Sequence, residues 1–302
     1  VITYEGVHKE GSAALIQEKY GDRRFGLAWP REKGWNWSLE SFLDVMVSCG
    51  GKTYDGTGLR VLEDCRTLEE GGRAMAEYVW LLAEPPAGGA GDVPRLTIRM
   101  LHDPAWKEWL FARISAEGGD ASLAQIKLCC YPSCSSGPPE RERWILVPGG
   151  DLKMGGQPQV IPIDGGGIAY YNKYQQTRDG CFLVFQPKDV ADVKVAGTYG
   201  VGTSITLKPG TGSAALALGY FIDTPAENAG RMFIAETLSQ VAAQLGRIEW
   251  TPNLPLAEFD AAIARTGRML ESSSPWPECV IHADEATAAA RKAAAGRFTE
   301  IR

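Results

Sequence analysis

A chain of 302 residues, 44% hydrophobic and 23% charged, is long enough for one large or two ordinary domains and has the balance of a globular protein. Its net charge of −6, from 31 basic against 37 acidic residues, argues against a general binder of the nucleic-acid backbone. No apolar run approaches the roughly 18 residues of a membrane-spanning helix, so neither a nucleic-acid nor a membrane partner is expected.

The first thirty residues carry Glu5, Lys9, Glu10, Glu18, Lys19, Asp22, Arg23 and Arg24, a pattern unlike a signal peptide. Opening on Val1 rather than Met is what removal of a leader or tag would leave, which allows a secreted or periplasmic location. From here to about residue 222 the chain reads as short strands punctuated by turns. Segments 13–20, 25–29, 60–65, 77–82, 96–101, 109–116, 123–131, 142–147, 168–176, 181–186, 204–207 and 214–222 are rich in Leu, Ile, Val and aromatics. Gly21-Asp22, Gly118-Gly119-Asp120 and Pro209-Gly210-Thr211-Gly212 supply tight junctions, in keeping with 35 glycines overall. Asp179-Gly180 is the best hairpin turn, joining 168–176 to 181–186. The second of these strands is apolar on both faces, with Cys181, Leu183 and Phe185 on one and Phe182 and Val184 on the other, so both faces should be covered. The first is polar and aromatic: Tyr170, Asn172 and Tyr174 share a face suited to lining a groove. A dozen strands with repeated turns predict a mostly β protein, a large antiparallel β-sandwich over 1–222.

After 222 the period changes. Thr224-Pro225-Ala226-Glu227 forms a capping box with Pro at the first helical position. Met232, Phe233, Leu238, Val241, Ala242 and Leu245 follow at helical spacing, and Gly246 is a terminator. Further helices are expected at about 255–270, with Phe259, Ile263 and Leu270 on one stripe, and at about 284–295. The segment 223–302 is therefore expected to pack on the sandwich as helical padding.

Motifs for chemistry are sparse. Gly50-Gly51-Lys52-Thr53 lacks the glycine a phosphate loop requires five positions before Gly51, where Met46 stands, and reads as a turn. Gly200-Val201-Gly202 fails the dinucleotide pattern at Ile205. The seven cysteines cluster only at Cys129, Cys130 and Cys134, without the second close pair of a zinc site, so neither a metal nor a cofactor is expected. Of three histidines, His102 ends an apolar strand beside Asp103-Pro104, where an imidazole is placed for acid–base catalysis. No pair of catalytic carboxylates can be singled out. The nine tryptophans are the most unusual feature. Trp29, Trp35 and Trp37 fall among Arg31, Glu32, Lys33 and Asn36, aromatic faces with polar company suited to a sugar ring. Trp106 and Trp109 follow His102, while Trp80, Trp144 and Trp250 read as core.

The segment 26–37 and the hairpin 168–186, within about 220 residues of similar strand rhythm, resemble the galactose-mutarotase-like supersandwich of carbohydrate-active proteins. That resemblance implies a site on a concave sheet face, with His and carboxylate groups in mutarotases; only His102 matches such a role here. The expected function is saccharide binding through Trp29, Trp35, Trp37, Tyr170, Asn172 and Tyr174, with acid–base chemistry of hydrolase, epimerase or lyase type if the sugar is turned over. The alternative is a non-catalytic interaction or assembly module, because exposed aromatics serve protein interfaces equally well.

Overall fold

A computed structural model describes residues 43–54, 61–70, 73–82, 94–106, 108–130, 142–172, 179–198, 200–222 and 226–250. In chain order the strands are β1 (Leu43–Cys49), β2 (Lys52–Tyr54), β3 (Val61–Glu70), β4 (Arg73–Leu81), β5 (Arg95–His102), β6 (Trp109–Glu117), β7 (Ser122–Cys130) and β8 (Arg143–Val147). They continue with β9 (Gly150–Lys153), β10 (Gln159–Ile161), β11 (Gly167–Asn172), β12 (Asp179–Phe185), β13 (Val190–Ala196), β14 (Val201–Leu207) and β15 (Ser213–Ile222). Six form one sheet in the order β10-β13-β14-β7-β1-β2, and nine form the other in the order β3-β4-β5-β6-β15-β12-β11-β8-β9. The protein is thus a mostly β, antiparallel sandwich followed by a helical segment, as its strand rhythm predicts.

The core follows from period-2 alternation. Val45 and Val47 of β1, Ile126 and Leu128 of β7, and Val193 and Val195 of β13 point inward from the smaller sheet. Leu96, Ile98 and Met100 of β5, Leu110, Ala112 and Ile114 of β6, and Leu216 and Leu218 of β15 meet them from the larger one. Each such aliphatic side chain contributes about 1.5–3 kcal/mol on leaving water. The β1–β2 connection is Gly50-Gly51 at φ of 57° and 72°, with Cys49 opposite Lys52. Two successive positive φ values suit a two-residue hairpin turn and require glycine in practice, so this segment is a turn and no phosphate loop. Asp120, at the β6–β7 turn, accepts the Gly50 N–H at 2.7 Å and ties the two turns together.

Strand β12 is covered on both sides, as its two apolar faces predict. Cys181, Leu183 and Phe185 lie between the sheets, whereas Phe182 and Val184 lie under a helix on the outer face of the nine-stranded sheet. That helix has three parts: α1 (Ala226–Met232), a wider π turn (Phe233–Thr237) and α2 (Leu238–Arg247). At 3.6 residues per turn, two residues five apart point about 140° away from each other. The Leu238 N–H instead donates to the Phe233 carbonyl, five residues back, so both side chains reach the sheet. Phe233 stacks on Phe182 at 4.3 Å between ring centroids, and Leu238, Val241 and Leu245 are buried beside it. Leu238 sits directly over Gly167, where a β-carbon would stand 2.8 Å from its Cδ2 and 3.1 Å from its Cγ. Met232, expected on the apolar stripe, lies about 100° round the helix from its neighbour Phe233 and is 52% exposed.

Several expectations need correction. Strands β1, β2, β9, β10 and β13 were not anticipated from residue pattern. Strand β11 is buried along its whole length and lines no groove. Trp80 and Trp250 are core, as expected, but Trp144 is only half-buried and gives its indole N–H to Glu142 at 3.1 Å. The expected strands at 13–20 and 25–29 and the helices at 255–270 and 284–295 lie outside the described residues.

Candidate functional site

The residues singled out from the sequence do not converge. Trp29, Trp35, Trp37 and Tyr174 lie outside the described residues. Tyr170 is fully buried on the inner face of β11, where its hydroxyl meets Thr203 Oγ1 of the opposite sheet at 2.7 Å. Burial holds its phenol well above the ordinary value, with the neighbouring Cys130 adding to the effect and the Thr203 bond opposing it. A residue so placed ties the two sheets and has no surface to offer a ligand. Asn172 follows on the same side of the pleat at 8% exposure, opposite the buried Arg143 of β8. Both residues are therefore corrected from groove lining to interior. The reason is that β11 has a neighbour on each edge and a covered layer on each face, which its polar sequence does not announce.

Cys130 and Cys181 approach from opposite sheets in the same region and are hydrogen-bonded neighbours. Burial, then the Cys181 bond, pushes the Cys130 thiol well above its ordinary range, which Arg143 only partly offsets. This is an inert thiol in the core. Among the described residues no group of three or more His, Cys, Asp or Glu is arranged to hold a metal ion.

His102 closes β5 opposite Ala74 of β4 and Leu110 of β6, and is half-buried. The pleat directs it away from the side of Leu101, toward the end of the inter-sheet core. Beyond it Asp103 Oδ1 accepts the Ala105 N–H at 3.0 Å, and its carbonyl accepts the Trp106 N–H at 2.8 Å. These bonds shape a short 3-10 turn, Pro104–Trp106, that folds Trp106 back onto the outer face. There Trp106 meets Phe111 edge-on at 6.2 Å. Trp106 stays half-buried, with Met75, Leu101 and Phe111 in the same apolar patch.

Next to that patch, one step along the same face, is a polar row. Glu77 of β4, Arg99 of β5 and Arg113 of β6 occupy directly opposed positions on three neighbouring strands. One step further come Val79, Thr97 and Ser115, and Ser213 of β15 stands opposite Ser115. Glu77 and Arg99 form an ion pair through Nε. Arg113 donates to Ser213 Oγ at 3.4 Å. Thr97 and Ser115 are largely buried, at 4% and 7% exposure, and the two arginines are half-buried. An aromatic edge, a carboxylate, two guanidiniums and hydroxyls thus share about 10 Å of sheet, taking strand spacing at 4.8 Å. Such a set can hold hydroxyls and anions in fixed orientation.

Sequence reading missed this row because register across strands is invisible in a linear pattern. A usable signal was present: Arg99 stands between Ile98 and Met100, and Arg113 between Ala112 and Ile114, each a charge set inside an apolar stretch.

A second polar group lies at the far edge of the same sheet. Glu142 pairs with Lys153 at 2.6 Å, and Asp151 accepts from Tyr171 at 3.1 Å and Arg231 at 3.5 Å. Its charges are matched one for one, and the Arg231 contact pins α1 to the β8–β9 hairpin. It is a structural clasp. The crevice lined by Ile126, Phe185, Ile205 and Leu216 is apolar and lies at the sheet–sheet boundary, with only Gln186 and Asp189 as polar neighbours.

No family model matches the chain, and no curated protein matches it in sequence. Solved structures matched by the chain include a protein assigned as a kojibiose phosphorylase, from the human microbiome, at 12% identity and a TM-score of 0.40. The match covers 69% of this chain and 26% of that one, so the chain spans about a quarter of the larger protein. A second is a protein assigned as an aldose 1-epimerase, from Klebsiella pneumoniae subsp. pneumoniae, at 11% identity and a TM-score of 0.38, covering 72% of each chain. Neither likeness says what this chain binds.

Proposed function

We propose that this protein binds a saccharide on the outer face of the nine-stranded sheet, over β4, β5 and β6. The observation that supports this reading is the half-buried Trp106, set edge-on to Phe111, one step from the Glu77–Arg99–Arg113 row on the same face. Sugars are recognised by an apolar aromatic surface beside a few fixed hydrogen-bonding groups, and this face presents both. The half-buried Arg99 and Arg113 supply donors, and the buried Glu77 holds Arg99 in place. Trp29, Trp35, Trp37 and Tyr174 are proposed as further sugar contacts on sequence grounds. His102, the acid–base group expected from the sequence, points to the other side of the sheet at the end of β5, so a role in turnover would require the sugar to reach round that end; retained turnover in His102→Ala would end that role.

Thermal unfolding against neutral and acidic mono- and oligosaccharides, each at about 10 mM, tests the proposal. A ligand with Kd near 1 mM adds roughly 1.4 kcal/mol by mass action, a rise of a few degrees for a chain of this size. The expected result is a rise for one sugar class that disappears in Trp106→Ala while that variant keeps its far-UV spectrum. No rise with any sugar, together with a mass that grows with concentration, would replace the saccharide reading with an assembly module.

A further inference from the structure

Resting on that saccharide reading, we infer that the ligand carries an acidic group, a carboxylate or a phosphate ester, and that Arg113 receives it. The geometry is unusual for a sheet. Arg99 and Arg113 are direct cross-strand partners, with side chains on one face. Like charges so placed repel, and a fold keeps them only if something compensates. Glu77, the other neighbour of Arg99 in the row, compensates one of the two. Among the described residues Arg113 has no carboxylate partner, only the Ser213 hydroxyl at 3.4 Å, which carries no charge. On the far side of the row Ala215 stands opposite Arg113. The next carboxylate along the same face of β6 is Glu117, four residues and about 13 Å away.

The row therefore holds two cations against one anion, in a chain whose net charge is −6. An acidic protein repels acidic ligands at long range, so a local cation excess on a half-buried face is selective. Partial burial strengthens the attraction of a guanidinium for an anion, and its planar fork matches a carboxylate or phosphate edge through two parallel bonds. The half-buried Ser213 hydroxyl, which accepts from Arg113, can turn its own hydrogen toward the same oxyanion. Trp106, one step along and backed by the buried Phe111, would take the apolar face of the ring that bears it.

Calorimetric titration separates the ideas. The probes are glucuronate, galacturonate and glucose 6-phosphate, each against its neutral parent, glucose or galactose, with inorganic phosphate as a further arm. A charge-assisted contact is expected to give one acidic sugar at least a tenfold advantage over its parent. That advantage should shrink as salt is raised. It should vanish in Arg113→Gln and be kept only in part in Arg113→Lys, whose ammonium retains the charge without the fork. Uronates leading would identify a carboxylate, and glucose 6-phosphate leading a phosphate ester. Equal affinity for acid and parent would overturn the acidic assignment while leaving the saccharide reading intact. An advantage that persists in Arg113→Gln would overturn the role of Arg113. Inorganic phosphate binding as tightly as any sugar would keep the oxyanion site and overturn the saccharide reading. No binding by any probe would overturn both.

Discussion

The contact between Gly167 and Leu238 offers the sharpest test of how the helix seats on the sheet. Gly167→Ala places a methyl group where Leu238 now lies, inside normal contact distance of its Cδ2 and Cγ. The colliding atoms are side-chain tips, so the helix yields locally rather than tearing a strand, and overpacking of this kind costs about 1–3 kcal/mol. Part of that is returned by the smaller entropy of the unfolded chain, about 0.4–1 kcal/mol for Gly to Ala. Leu238→Ala, at a position only 7% exposed, opens a cavity and costs about 2–5 kcal/mol. In the double variant the new methyl group occupies part of that cavity and has nothing to strike. Its cost should fall short of the sum of the single costs by at least about 1 kcal/mol, within the range found for residues in contact. Urea unfolding monitored by tryptophan fluorescence measures all four proteins. Additivity to within about 0.5 kcal/mol would refute the contact, and with it the packing of α2 over β11.

Removing the Tyr170 hydroxyl with Tyr170→Phe strands Thr203 in the core and should cost about 1–3 kcal/mol in the same unfolding assay; Thr203→Val on that background should recover part of it, and a neutral Tyr170→Phe would show that the bond does not tie the sheets. Thiol labelling tests the cysteines. Cys130 should resist iodoacetamide at pH 8 until the protein unfolds, because burial keeps it protonated. Burial also raises the Cys49 pKa, and Asp120 adds to this by accepting the thiol proton and opposing the thiolate charge. Asp120→Asn should therefore lower the Cys49 pKa and speed its labelling, read by peptide mass; an unchanged rate would remove Asp120 from the account. Asp120 itself is held below the ordinary carboxylate value, first by the Gly50 N–H and then by Cys49. Its contribution is thus complete above about pH 4 and lost as pH falls through the lower folded value, so the difference between wild type and Asp120→Asn should close in acid.

What could be read from the sequence depended on whether the signal was local. The double coverage of β12 was visible because Phe182 and Val184 alternate with Cys181, Leu183 and Phe185, and two apolar faces demand two apolar neighbours. The Gly50-Gly51 turn was visible because two successive glycines free the chain for positive φ. Strand β1 was not, since among its described side chains only Val45 and Val47 are strongly buried, and they stand between Asp44, Met46 and Ser48. Tyr170 misled for a different reason. A phenol looks like a surface group until its hydroxyl finds Thr203, which comes from a strand thirty-three residues on. The polar row suffered most: Glu77, Arg99 and Arg113 belong to three strands, and only the hydrogen-bonded register sets them side by side.

The π turn means that the helix holds one residue more than a regular spiral needs to carry Phe233 and Leu238 on one side. It is a slack loop in an otherwise taut element. Losing a residue from 234–237 would convert the turn to ordinary α geometry, with Phe233 and Leu238 then four apart and still stacked above the sheet. Losing one from α2 would instead turn everything beyond it by about 100° and lift part of the Val241 and Leu245 contact. The chain thus tolerates length change at one point of this helix and punishes it at the next, a built-in asymmetry between two neighbouring turns.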